Sequence, residues 1–315
     1  MSKALKFFKT WMLPIGMTTG ALMYLVYHWA GFLHPAGGVL LSIVKFVQPV
    51  FLFTMLFLTF CRIEPHEMKP HRWHFRLLAI QAGTFTAMAL ALAFLPEFDG
   101  KVIVESAMIC MICPTATAAA VVSDKLGGDV PGIVTYTVLI NLVTALIVPL
   151  LVPLVHPVEG VTFIVAFSMI MAKVFPLLIC PCILAWIVRY MFPHIHAKIV
   201  GHKNLAFYIW AVSLTLAILM TTRAIFHSGT SLGILLGIGG AALATCALQF
   251  FAGKRIGERS GEKITAGQSL GQKNTVFAIW MGYTFMDPVT SVAGGFYSIW
   301  HNCYNSWQLY RAQKK

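Results

Sequence analysis

Charge is scarce in this sequence. Only 11% of its 315 residues are Asp, Glu, Lys or Arg, where soluble domains run nearer a quarter. Acids are scarcer still, 11 against 23 Lys and Arg. Hydrophobic types make up 58%, and the mean hydropathy is +0.77. Together these exclude a disordered chain, a coiled coil and an ordinary cytosolic enzyme. What remains is a polytopic membrane protein. A large soluble stretch is also missing, which excludes an ATP-driven pump with its own motor.

Other signals are absent too. The seven cysteines are odd in number, and most lie inside apolar runs, so they read as small packing groups rather than a disulfide framework. Cys110-x-x-Cys113 has no second pair to complete a metal or redox motif. The loop 253–263 contains Gly and Lys without Walker spacing, so it carries no phosphate signature. Lys3, Lys6 and Lys9 precede an apolar run from Trp11, but no small-residue cleavage site follows. That run reads as a retained helix and not as a signal peptide.

What is present is long apolar runs. A spanning helix needs about 20 mostly apolar residues. Candidate spans cover 11–30, 38–61, 76–95, 102–124, 130–155, 161–188, 205–226, 230–252, 262–285 and 287–309. They are too long and too uniformly apolar for alternating barrel strands. The fold class expected is therefore all-α, with about ten transmembrane helices.

The net charge of +12 fits that layout. With the N-terminus in the cytoplasm, 18 of the 23 Lys and Arg fall on the cytoplasmic side. Lys101 and Arg223 fall outside, and Lys45, Lys173 and Lys273 lie within spans. Such a bias predicts an inner-membrane protein with both termini cytoplasmic. It also removes the need for nucleic acid as a partner. The partners expected are the lipid bilayer and a small solute, with no protein partner implied.

Spans four and nine are interrupted. Span four contains Cys113-Pro114-Thr115-Ala116-Thr117, and Pro114 must break its ladder. Span nine contains the polar run Gly267-Gln268-Ser269-Leu270-Gly271-Gln272-Lys273-Asn274-Thr275. Polar, broken backbone at membrane depth is tolerated only where protein buries it or it lines a cavity. The breaks lie five spans apart, which predicts two inverted five-helix repeats, 1–157 and 158–315. Inverted repeats with matching broken helices mark a secondary transporter and its binding site.

At these segments the chain resembles the bile acid:sodium symporter family. That family carries Cys-Pro-Gly-Gly-Thr-Ala-Ser-Asn and then Gly-Asp in its fourth span. This chain has Cys113-Pro114-Thr115-Ala116-Thr117-Ala118-Ala119-Ala120, then Gly128-Asp129. For the family's Glu-x-Gly-Met-Gln-Asn in span nine, it has Ser269-Leu270-Gly271-Gln272-Lys273-Asn274. Ser298-Ile299-Trp300-His301-Asn302 is similar to the family's Ser-x-Trp-His-Asn in the last span. The resemblance implies a mobile core of spans three to five and eight to ten against a panel of spans one, two, six and seven. It further implies an organic anion as substrate, moved by alternating access beside the crossing of the two broken helices.

The departures matter more than the matches. The family's sodium ligands include side chains at positions occupied here by Ala119, Ala120, Ser269 and Lys273, and a further Ser falls at Ile133. Thr137 and Gln81 keep ligand-like side chains, so Gln81, Thr137 and Ser269 are the residual ion-site candidates. A fixed ammonium would also repel a cation 4 Å away by about 4 kcal/mol at an effective dielectric near 20. The expectation is a divergent, bacterial-type member without two-sodium coupling, in which Lys273 replaces a cation. Its energetics would then be proton-coupled or uncoupled. A single rebuilt sodium site is the alternative. No other cofactor or metal is expected.

Around the crossing, Pro114, Thr115, Thr117, Asn141, Gln268, Gln272, Asn274, His301 and Asn302 join these as site candidates. Polar side chains between membrane helices also serve as interhelical glue. Lys173 and Lys45 are candidate cavity cations for an anionic substrate, with snorkelling as the plain alternative. Asp287, before Pro288, reads as a helix cap. A membrane-embedded enzyme would need paired acids or a nucleophile with its base, and the spans show neither. A channel fits crossed, broken helices less well than alternating access does.

Overall fold

The computed structural model describes residues 3–62, 65–95, 98–157, 160–202 and 205–314. Lys203 and Lys315, counted above as cytoplasmic, and residue 158, where the second repeat was placed, lie outside them. The elements run α1 (Lys3–Trp29), α2 (Gly37–Phe60), α3 (Arg72–Phe94), α4 (Lys101–Ile112), α5 (Ala119–Lys125), α6 (Val130–Val155) and α7 (Phe163–Met191). They continue with α8 (Pro193–Gly201), α9 (Leu205–Ser228), α10 (Leu232–Glu258), α11 (Lys263–Gly271), α12 (Thr275–Phe285) and α13 (Ser291–Gln313). Among the described residues no strand forms, and six helices are long and apolar enough to cross a membrane. Phe46, Phe94, Ile164 and Leu236 point outward from such helices and are more than half exposed. Large outward apolar faces of this kind belong in lipid rather than water.

Local chemistry sets the ends. Asp129 opens α6 by accepting a hydrogen bond from Gly132 N at 3.0 Å, with Pro131 in the first turn. Ser231 opens α10 in the same way. Asp287 accepts from Val289 N at 2.9 Å and caps the 3₁₀ turn that leads into α13. α3 begins one turn earlier than its apolar run, because His71 and His74 form a reciprocal capping box. α10 runs past its apolar run to Glu258, carrying Lys254 and Arg255 in helix.

The helices pack in two groups. α1, α2, α7 and α9 contact one another, while α3–α6 and α10–α13 form the larger group around the two interrupted helices. Gly253 and Gly257 bring α10 and α11 together backbone to backbone; a Cβ at Gly257 would run into Glu262 O. Between the groups, α6 packs along α7, α9 packs on α12 and α13, and α2 on α12.

Candidate functional site

The site is built where the interrupted helices meet. α4 ends at Ile112, and Cys113 leaves helical geometry just before Pro114. α11 ends at Gly271, and Gln272 is extended. The two short extended segments pair as an antiparallel bridge between Thr115 and Lys273. Ala116 N donates to Gln272 O at 2.9 Å and Asn274 N to Pro114 O at 2.8 Å. Thr115 Oγ1 adds a bond to Ser269 O at 2.7 Å. Backbone groups freed by each break are thus partly satisfied by the other break, as burial away from water requires.

Neighbouring helices satisfy several more. Gln81 of α3, fully buried, donates Nε2 to Ile112 O at 3.1 Å and Cys113 O at 2.8 Å. Its Oε1 accepts from Tyr136 OH at 2.7 Å. Thr144 of α6 donates to Ile112 O at 3.1 Å. On the other side, Tyr297 OH of α13 donates to Gly271 O at 2.8 Å, and Gln249 Nε2 to Cys110 O at 3.2 Å. Asn274 caps α12, accepting from Phe277 N at 3.2 Å.

Lys273 is 1% exposed, and its Nζ has no hydrogen-bond partner among the described residues. Its electrostatic neighbours are the thiols of Cys113, Cys110 and Cys246, the first two at the C-terminal end of α4. A helix C-terminus favours a cation. Ser269 Oγ, Gln272 Oε1, both amide atoms of Asn141 and His301 Nδ1 are likewise buried without partners.

A small cavity of about 40 Å³ opens beside the bridge, between the two helix groups. Ala116–Ala118, Gln272–Val276, Ser298, His301 and Asn302 line it from one group, and Met55 and Trp210 from the other. α5 and α12 both begin at this cavity.

The remaining candidates fall as follows. Pro114, Thr115 and Thr117 lie in the first break and Asn274 in the second, while Ala119 and Ala120 open α5. Thr137 bonds back to Ile133 O at 2.8 Å, and Asn302 to Ser298 O at 2.7 Å. Gln268 donates to Asn305 Oδ1 at 3.0 Å. Lys45 and Lys173 are exposed; Lys173 Nζ lies 5.6 Å from the Phe285 ring of α12. Glu105, 2% exposed, meets His156 at 3.0 Å.

Sequence reasoning missed Tyr297, Gln249 and Gln48. Gln48 of α2, wholly buried, accepts from Tyr283 OH of α12 at 2.6 Å and so joins the two helix groups. A lone glutamine in an apolar span was the available signal for Gln48 and Gln249.

A model described as the sodium bile acid symporter family matches residues 49–232. That is more than half of the chain, which therefore belongs to this family and is a membrane transporter of the bile-acid and organic-anion type. The match contains the first break and ends before the second. No individual curated protein matches the chain.

Proposed function

We propose that this member of the sodium bile acid symporter family is a secondary transporter of a small organic anion, with the Lys273 ammonium standing in for a coupling cation. The observation that carries the reading is Lys273 itself, buried and unpartnered at Nζ beside the C-terminal end of α4. Two helices end at the crossing and two begin there. Ends favour cations and beginnings favour anions. The ammonium serves the first pair; the cavity adjoins the second, where the charged group of an anion would sit. Lys173, over Phe285, would draw that anion toward the crevice between the helix groups.

The same reading takes ten spans in two inverted repeats, 1–157 and 158–315. The pairs α4–α5 and α11–α12 are the matching broken spans. α1, α2, α7 and α9 form a panel against which the remaining core moves by alternating access. Both termini lie in the cytoplasm, the membrane is the inner one, and no enzymatic step is involved. A single rebuilt sodium site is poorly supplied with ligands. The Gln81 amide and the Thr137 hydroxyl already have backbone or side-chain partners, which leaves Ser269 Oγ.

Uptake of labelled organic anions into proteoliposomes tests this under a sodium gradient, a proton gradient, or neither. Uptake should be indifferent to sodium. Strong stimulation by sodium alone would sink the proposal, and a steady, non-saturating current would favour a channel.

A further inference from the structure

Away from the crossing, the described residues enclose a groove of about 520 Å³ between α10 and α13, at the cationic C-terminal end of α10. Its floor is apolar, made by Leu243, Ala247, Phe250, Phe251 and Trp300. Its rim is cationic, made by Lys254, Arg255 and Lys263. Glu258 is the one acid among the lining residues, and Lys263 Nζ takes its carboxylate at 2.6 Å. Arg255 also faces the Glu258 carboxylate, and it and Lys254 contact neutral groups as well. Lys254 Nζ donates to Tyr304 OH at 2.9 Å and to Gln308 Oε1 at 2.5 Å. The Arg255 guanidinium stacks 5.4 Å from the Phe251 ring. The rim thus sets three cations against one carboxylate and keeps a net positive charge over an apolar trough.

We infer that this groove binds an anionic glycerophospholipid, with its phosphate against Lys254 and Arg255 and an acyl chain along Leu243, Ala247 and Phe251. Charge complementarity selects the headgroup, because a zwitterionic lipid would bring its own cation to a rim already positive. The apolar floor selects a lipid over free phosphate. The site also reaches the crossing. The Lys254 stem lies across Gly267, its Cγ 2.7 Å from where a Cβ would stand, and the Phe250 ring lies against Gly271. A lipid held here steadies α11, the half-helix that delivers Lys273. The leaflet, inner, rests on the orientation proposed above; binding itself does not.

The test uses the full chain in detergent, titrated with phosphatidylglycerol or phosphatidylcholine and read by native mass spectrometry and thermal unfolding. Phosphatidylglycerol should bind and raise the unfolding temperature, and phosphatidylcholine should do so far less. Arg255→Gln should weaken phosphatidylglycerol binding about fivefold, the worth of one basic residue near an anionic lipid. Ala247→Trp should weaken it without any change of charge, by filling the floor. Lys198→Gln on α8 should leave it unchanged, and inorganic phosphate should not compete. Equal binding of both lipids, equal loss in Lys198→Gln, full competition by phosphate, or retention in both Arg255→Gln and Ala247→Trp would each overturn the inference. None of these readouts involves transport, so this site and the proposed transport function fail or stand separately.

Discussion

The two interrupted helices share one bridge but are interrupted by different means. Between α4 and α5 the proline ring and its missing N–H stop the ladder, and small residues, Thr115 to Ala120, follow. The carbonyls this break exposes are taken by side chains from elsewhere, Gln81 and Thr144. Between α11 and α12 there is no proline. That break is held open by the bridge itself, by Tyr297 on Gly271 O and by the Asn274 cap. It also carries its own charge, Lys273. The first break is thus imposed by the backbone and persists whatever surrounds it. The second is conditional on its partners, which makes it the half of the crossing able to respond to charge.

Four substitutions would break or sharpen that comparison. The largest effect is expected from Lys273→Gln. Uptake should fall by more than tenfold or change its ion dependence, while the protein stays folded, because Nζ has no hydrogen-bond partner to lose. Parent-like uptake with parent-like ion dependence would erase the distinction between the breaks. Next comes Gln81→Leu, which strips Cys113 O of its side-chain donor and leaves Tyr136 OH unpaired. It should destabilise by about 2–3 kcal/mol in thermal unfolding, as buried polar groups left unpaired do.

Tyr297→Phe removes the hydroxyl from Gly271 O and from Gln249, at about 1–2 kcal/mol. A loss smaller than that of Gln81→Leu but concentrated in uptake would mark the second break as the functional one. The smallest effect belongs to Tyr283→Phe, which frees Gln48 between the helix groups. At about 1 kcal/mol it should favour separation of the two helix groups roughly fivefold. Labelling of a cysteine placed by Val276→Cys on the cavity wall would report it, and unchanged labelling would deny the bond a gating role.

Much of the fold was legible because hydropathy and proline act locally. The break at Pro114 needs no partner to be inferred. The polar run 267–275 located the second break, although the helix ends only at Gly271 and resumes at Thr275. α8 escaped notice because its nine residues, with two His and one Lys, are too short for an apolar span. The start of α3 escaped because its capping pair is two histidines, His71 and His74, instead of the usual short polar caps. At the site, Gln81 read as an ion ligand because a buried amide and an ion ligand look alike in sequence. Only its neighbours reveal that its donors go to carbonyls.

By itself the sequence determined the membrane class, the two interrupted segments and the placement of an ammonium in one of them. These follow from residue types and spacing over a few turns. The tertiary structure alone decided which groups the interruptions share. Thr115 meets Ser269 from 154 positions away, and Lys273 pairs with Thr115 across the two breaks. Broken helices expose backbone groups that no local partner can satisfy. Their partners therefore come from distant helices, and only the packing brings those together.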